Sequence, residues 1–177
     1  MFDLYSTKLF KNLLYLKLSL KQVYYMNPLN VFQRSTTLYT LDRLQNLSKD
    51  TIPQWGKMDA GQMLAHLNVA YDVAFGKLEV KNNVIMKWFL KTFEKEGVVG
   101  EKPYPKNSMT APYFMQKEPR DFELEKQKFI DNVQTVEQKG EPFFEGKESV
   151  SFGKMTALEW SNQFYKHLDH HFIQFGI

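Results

Sequence analysis

Asp59 and Thr156 each stand just before a run of apolar residues at helical spacing. Each is answered three residues later, by Gln62 and by Glu159. This capping-box pattern satisfies the amide groups left unpaired in the first turn of a helix, and it commits both stretches to helix. After Asp59, residues Ala60, Met63, Leu64, Leu67, Tyr71 and Ala74 form one apolar stripe, and Gly76 follows as a natural stop. After Thr156, the stripe is Trp160, Phe164, Leu168, Phe172 and Phe175. Helices with such faces need partners to bury them.

The rest of the chain supplies those partners. In 30–48, Val31, Leu38, Leu41, Leu44 and Leu47 recur at spacings that predict a helix, broken before Pro53. In 121–139, Phe122, Phe129, Val133 and Val136 are expected to face inward, and Gly140 to end the helix. Between 77 and 120 the pattern is irregular. A short helix is expected at 83–95, followed by loop rich in proline and glycine, and 141–153 is also expected to be loop. No stretch alternates with the period of a strand over a useful length. The expectation is an all-α fold: a four-helix bundle with a long crossover connection between helices 2 and 3, carrying a short extra helix. A short echo, WGKMDAGQM against FGKMTALEW, is either chance or shared turn chemistry.

The length of 177 residues fits one domain. The absence of cysteine excludes disulfides, cysteine-ligated zinc and a cysteine nucleophile. The net charge of +3 resides in residues 1–25, where four lysines face one aspartate, while 26–177 is electrically balanced. Neither nucleic acid nor a membrane is therefore expected as a partner. Lysines at 8, 11, 17 and 21 interrupt the N-terminal stretch, so it resembles neither a signal peptide nor a membrane span of roughly 18 apolar residues. Three readings of it stand: an amphipathic surface helix, a packing extension, or a leader ahead of a start at Met26. The last is favoured, with residues 26–177 as the helical domain and a cytoplasmic location as the default.

The four histidines carry the chemistry. His167, His170 and His171 fall within HLDHH, and His66 lies on the Asp59-capped helix. An α-helix turns about 100° per residue, so with Trp160 at zero the apolar stripe centres near about 60°. His171 then falls at about 20°, His167 at about −20° and His170 at about −80°, while Asp169 lies near 180°. His167 and His171, one turn apart, look inward. His66 sits seven residues past its cap and His167 eleven past its own, both near whole numbers of turns. Three imidazoles plus open positions is a catalytic rather than a structural arrangement for zinc, and nickel, manganese or iron accept the same donors. Two plainer readings stay open at this point: partly buried, hydrogen-bonded histidines, and a solvated helix end.

The segments PQWGKMDAGQMLAHL, FGKMTALEW and YKHLDHHFIQFG resemble the DinB/YfiT-like superfamily, in a branch known only as a domain of unknown function. The resemblance covers 30–177. It implies a four-helix bundle holding a divalent metal, zinc first among the choices, on three histidines. By position these are His66, His167 and His171. It also implies a metal-dependent transferase acting on a small thiol and a small electrophile, or a hydrolase, with a homodimer as an allowed assembly. Relatives often carry a His-Pro pair before the last helix, where this chain has Ser149 and Val150. The alternative is a non-catalytic, metal-stabilised bundle that binds a small molecule or a protein. Asp72, Asp169 and Glu159 are the carboxylates considered as a general base, although Glu159 reads better as a cap and Asp169 as a solvated residue. Trp55 and Trp88 fall near the expected site and the crossover, where tryptophans usually pack.

Overall fold

The computed structural model describes residues 28–108 and 110–177. The readings of residues 1–25 lie outside the described residues. Four long helices supply most of the core: α1 (Arg34–Gln45), α2 (Ala60–Ala74), α5 (Phe122–Phe144) and α6 (Ala157–Gln174). Between α2 and α5 run α3 (Val84–Phe89), a π-helical turn at Leu90–Glu94, α4 (Lys95–Val99) and a 3₁₀ turn at Pro112–Phe114. The all-α expectation holds, apart from one hairpin of two-residue strands, β1 (Glu148–Ser149) and β2 (Gly153–Lys154). Strands that short leave no alternation for a sequence to display.

Both capping boxes form. The Asp59 carboxylate accepts from the Gln62 amide at 2.8 Å, and the Gln62 side chain accepts from the Asp59 amide at 3.1 Å. Thr156 and Glu159 do the same at the start of α6. The two apolar stripes that follow are buried along their whole length. They meet Phe129, Val133 and Val136 of α5 and Leu44 of α1 in one core. Burying a large apolar side chain is worth about 1.5–3 kcal/mol each, which sets these helices' mutual positions.

Helix α1 is shorter than the expected 30–48, and Val31, Leu44 and Leu47 of the apolar pattern are buried. Leu38 is 53% exposed, and the inward face is Thr36, Thr37, Thr40, Arg43 and Leu44. Steps of three residues drift by about −60° each, so Leu38 and Leu47 lie on opposite sides of a continuous helix. Asp169 is also corrected. It is not solvated, because Arg43 reaches it from α1 in a 2.6 Å ion pair with both side chains largely covered. Helix α5 does break at Gly140, whose φ of 64° lies in the left-handed region, but one further turn follows and buries Phe144. In the echoed segments, Gly56 (φ 84°) and Gly153 (φ 71°) both adopt the left-handed conformation just before a capped helix, so shared turn chemistry is what they have in common.

The crossover is tied to the rest of the fold at Asn82, around α4 and at Phe114. Lys166 of α6 donates to the Gly97 and Gly100 carbonyls at 2.9 and 2.6 Å, and Asn162 to the Val99 carbonyl at 2.9 Å. By contrast, α3 buries no side chain. Trp88 there is 63% exposed rather than packed.

Candidate metal centre

Helices α2 and α6 bring His66, His167 and His171 together, as the sequence expects. One ring nitrogen from each lies within 4.8 Å of the others. Ring centroids are 4.6 Å apart for His66–His171, 4.8 Å for His66–His167 and 5.1 Å for His167–His171. His66 and His171 are buried and His167 is partly so. His170 stays out of the cluster, with its ring edge-on to Trp55 at 5.9 Å.

The hydrogen bonds around the rings decide which nitrogens are available. His66 Nδ1 lies 3.0 Å from the Phe114 carbonyl oxygen, which can only accept, so Nδ1 carries the proton and Nε2 is bare. His171 Nδ1 lies 2.7 Å from Gln174 Oε1. The Gln174 amide nitrogen donates to the Trp55 carbonyl at 2.7 Å, which turns its oxygen toward His171 and makes Nδ1 the donor there too. Two of the three rings thus present a bare Nε2 under the control of a partner on the far side, the outer-shell pattern of metal-ligating histidines. The bare His66 Nε2 accepts from His167 Nε2 at 2.8 Å. That proton moves to the other ring nitrogen for His167 to act as an Nε2 ligand.

Electrostatics favour the uncharged rings. Burial pushes the pKa of His66 down, and burial followed by the neighbouring imidazoles pushes that of His167 well down. Burial and the proximity of His66 bring His171 to about 3, against the opposing effect of the Gln174 hydrogen bond. Neutral imidazole is the form that binds metal, so little protonation competes near neutral pH. Two nitrogens each ~2.1 Å from one ion are at most about 4.2 Å apart. The His66–His167 pair at 2.8 Å is inside that bound, and all three nitrogens lie within 4.8 Å of one another, close to it. The donor set fits a divalent ion.

The three candidate carboxylates are engaged elsewhere. Asp72 pairs with Lys128 at 2.6 Å, Asp169 with Arg43 at 2.6 Å, and Glu159 with Lys95 at 2.6 Å besides its capping role. Ser149 is buried in the hairpin and accepts from the Ser151 and Phe152 amides. A pocket of about 130 Å³ opens beside the cluster, lined by Trp55, Tyr104, Lys106, Tyr165 and His170 among others, and none of the three clustered histidines lines it.

Sequence reasoning missed Gln174 and the Phe114 carbonyl. The first is legible as the residue one turn beyond His171 in HHFIQ. The second, a backbone atom in a loop, leaves no signal in residue types. Among the described residues, no helix is long and apolar enough to cross a membrane. Compared with known proteins, the chain matches no family model, no curated protein and no solved structure.

Proposed function

We propose that this chain is a divalent-metal protein of the DinB/YfiT-like kind, a four-helix bundle whose His66, His167 and His171 hold the ion, and that it serves as a metal-dependent transferase of a small thiol or as a hydrolase. The observation that carries the reading is the convergence of three neutral imidazoles, two with their outer nitrogens tied to acceptors. Zinc suits three nitrogen donors with open positions, and nickel, manganese and iron are the alternatives. A divalent ion so held supplies Lewis acidity, which lowers the pKa of a thiol or water brought to it. The chain's own contribution is to orient the rings and to hold them uncharged in a site largely closed to solvent. Trp55 and Tyr104, in the neighbouring pocket, offer apolar walls for a small electrophile.

A second reading, a metal-stabilised module without catalysis, draws on a separate observation. Asp72, Asp169 and Glu159 are each committed to a cation, so none of them is free as a general base. Metal analysis of the purified protein beside His171→Ala and His170→Ala tests the ligand set. The expected outcome is stoichiometric metal in the parent and in His170→Ala, and loss in His171→Ala. Retention in His171→Ala with loss in His170→Ala would overturn it. Transfer assays with small thiols and a generic electrophile then separate the two readings, since a module gives no metal-dependent turnover.

A further inference from the structure

The crossover helix presents an apolar face that nothing among the described residues covers. Val84 is 83% exposed, Ile85 78%, Trp88 63% and Phe93 60%, with Met86 and Phe89 at 46%. A whole aromatic side chain accounts for about 150–250 Å². Six large side chains at these exposures therefore make a patch of several hundred Å², at or above the largest usually left on a monomer, about 300–600 Å². Only Leu90 of this stretch packs back against the core.

The charge around the patch is one-sided. Residues 77–95 hold five lysines against two glutamates, within a body, 26–177, that is balanced; Lys81 pairs with Glu79 and Lys95 with Glu159, which leaves Lys87 and Lys91 as the lysines beside the patch. Lys87 and Lys91 lie one turn apart on the edge of the helix next to Val84 and Trp88, and among the described residues no ion pair engages either. Apolar residues with an aromatic anchor and lysines along one edge are the pattern of a helix that lies in a lipid interface; Lys87 and Lys91 are both exposed on that edge, with Lys91 Nζ beside Gly153 of the hairpin. The occupant must therefore be apolar below and anionic above. A second copy packed antiparallel on this face would bring the two lysine edges to the same side. The N-terminal 25 residues, also net positive, meet the same repulsion.

We infer that Val84–Phe93 is a peripheral membrane-docking surface, which inserts Ile85, Trp88 and Phe93 among the acyl chains of an anionic bilayer while Lys87 and Lys91 meet the headgroups. This reading departs from the expectation, drawn from the sequence, of no membrane partner. The site is independent of the metal reading, since it shares no residue with the histidine cluster.

Co-sedimentation of the full chain with vesicles tests it. The protein should sediment with mixed phosphatidylcholine–phosphatidylglycerol vesicles at low salt and not with phosphatidylcholine alone. Partitioning should fall about five-fold for each charge neutralised in Lys87→Gln and Lys91→Gln. It should fall at least ten-fold in Trp88→Ser/Phe93→Ser, whose positions are exposed and whose far-UV circular dichroism should match the parent. Three outcomes overturn the proposal. One is no binding to the anionic vesicles. Another is binding undiminished in Trp88→Ser/Phe93→Ser, which would assign it to another part of the chain. The last is a dimer by light scattering that this double variant dissociates without any vesicle binding, which would make a second copy the occupant.

Discussion

Gln174 faces two ways at once. Its oxygen takes the Nδ1 proton of His171, and its amide nitrogen donates to the Trp55 carbonyl. A leucine there has similar bulk but no acceptor, so His171 loses the partner that fixes its tautomer and ring orientation. Loss of such an outer partner costs about 10–100-fold in metal affinity. Gln174→Leu should therefore weaken zinc binding by that factor in a competition titration against a chromogenic chelator, with the metal-free fold unchanged by circular dichroism. An unchanged affinity would mean that His171 does not ligate through Nε2. The HxxxH pair was legible because helical rotation alone separates His171 from His170 by about 100°. The partners of the rings were not, because an angle measured from one helix's stripe does not say what lies across from it. Asp169 shows the same limit. It points away from the α6 stripe, yet α1 covers that side and Arg43 meets it.

At the scale of elements, the capping boxes were the most readable features, since each is a local exchange of two hydrogen bonds that needs no partner helix. The inward face of α1 was the least readable. Thr36, Thr37 and Thr40 are buried while Leu38 stays exposed and Leu41 only packs at the core's margin, and only the neighbouring helices decide which side is inside. The turn before α2 joins fold to site. At Gly56, φ is 84° and an added Cβ would come within 2.4 Å of Gln174 Nε2. Gly56→Ala must strain the backbone, by about 1–2 kcal/mol, and push Gln174 from its place. At Gly153, φ is 71°, but the nearest atom to an added Cβ is Lys91 Nζ at 4.0 Å. Both alanine variants should lower the urea midpoint, Gly56→Ala the more because of its clash with Gln174. Only Gly56→Ala should also lower metal affinity. Equal affinities in the two would detach the turn from the metal centre.

Across the whole molecule, the histidine cluster links folding, protons and metal. The core and helix order that create the cluster were readable from apolar spacing. The cluster's electrostatics follow from burial, which a sequence shows only in outline. In the folded state the imidazoles of His66, His167 and His171 are held below their ordinary pKa, mainly by desolvation. The unfolded chain has no such burial, so below about pH 6.5 it takes up protons that the folded chain refuses. Stability is then whole above that pH and falls as the pH drops, and for His171 the loss continues toward its folded pKa of about 3. Each such histidine contributes a slope of up to about 1.4 kcal/mol per pH unit across its window. A bound divalent ion adds stability in proportion to the logarithm of its free concentration over its Kd, and it competes with the same protons. Urea denaturation in chelator should give a midpoint that is level from about pH 8 to 7 and declines steadily below about 6.5. Added zinc should raise the midpoint most at the alkaline end, and the increment should shrink as the pH falls. His66→Gln should make the acid decline shallower by one ring's share of the three, and abolish the zinc increment, because that ring contributes to both. If the decline becomes shallower while the zinc increment survives, the ring is buried for packing alone and the metal lies elsewhere.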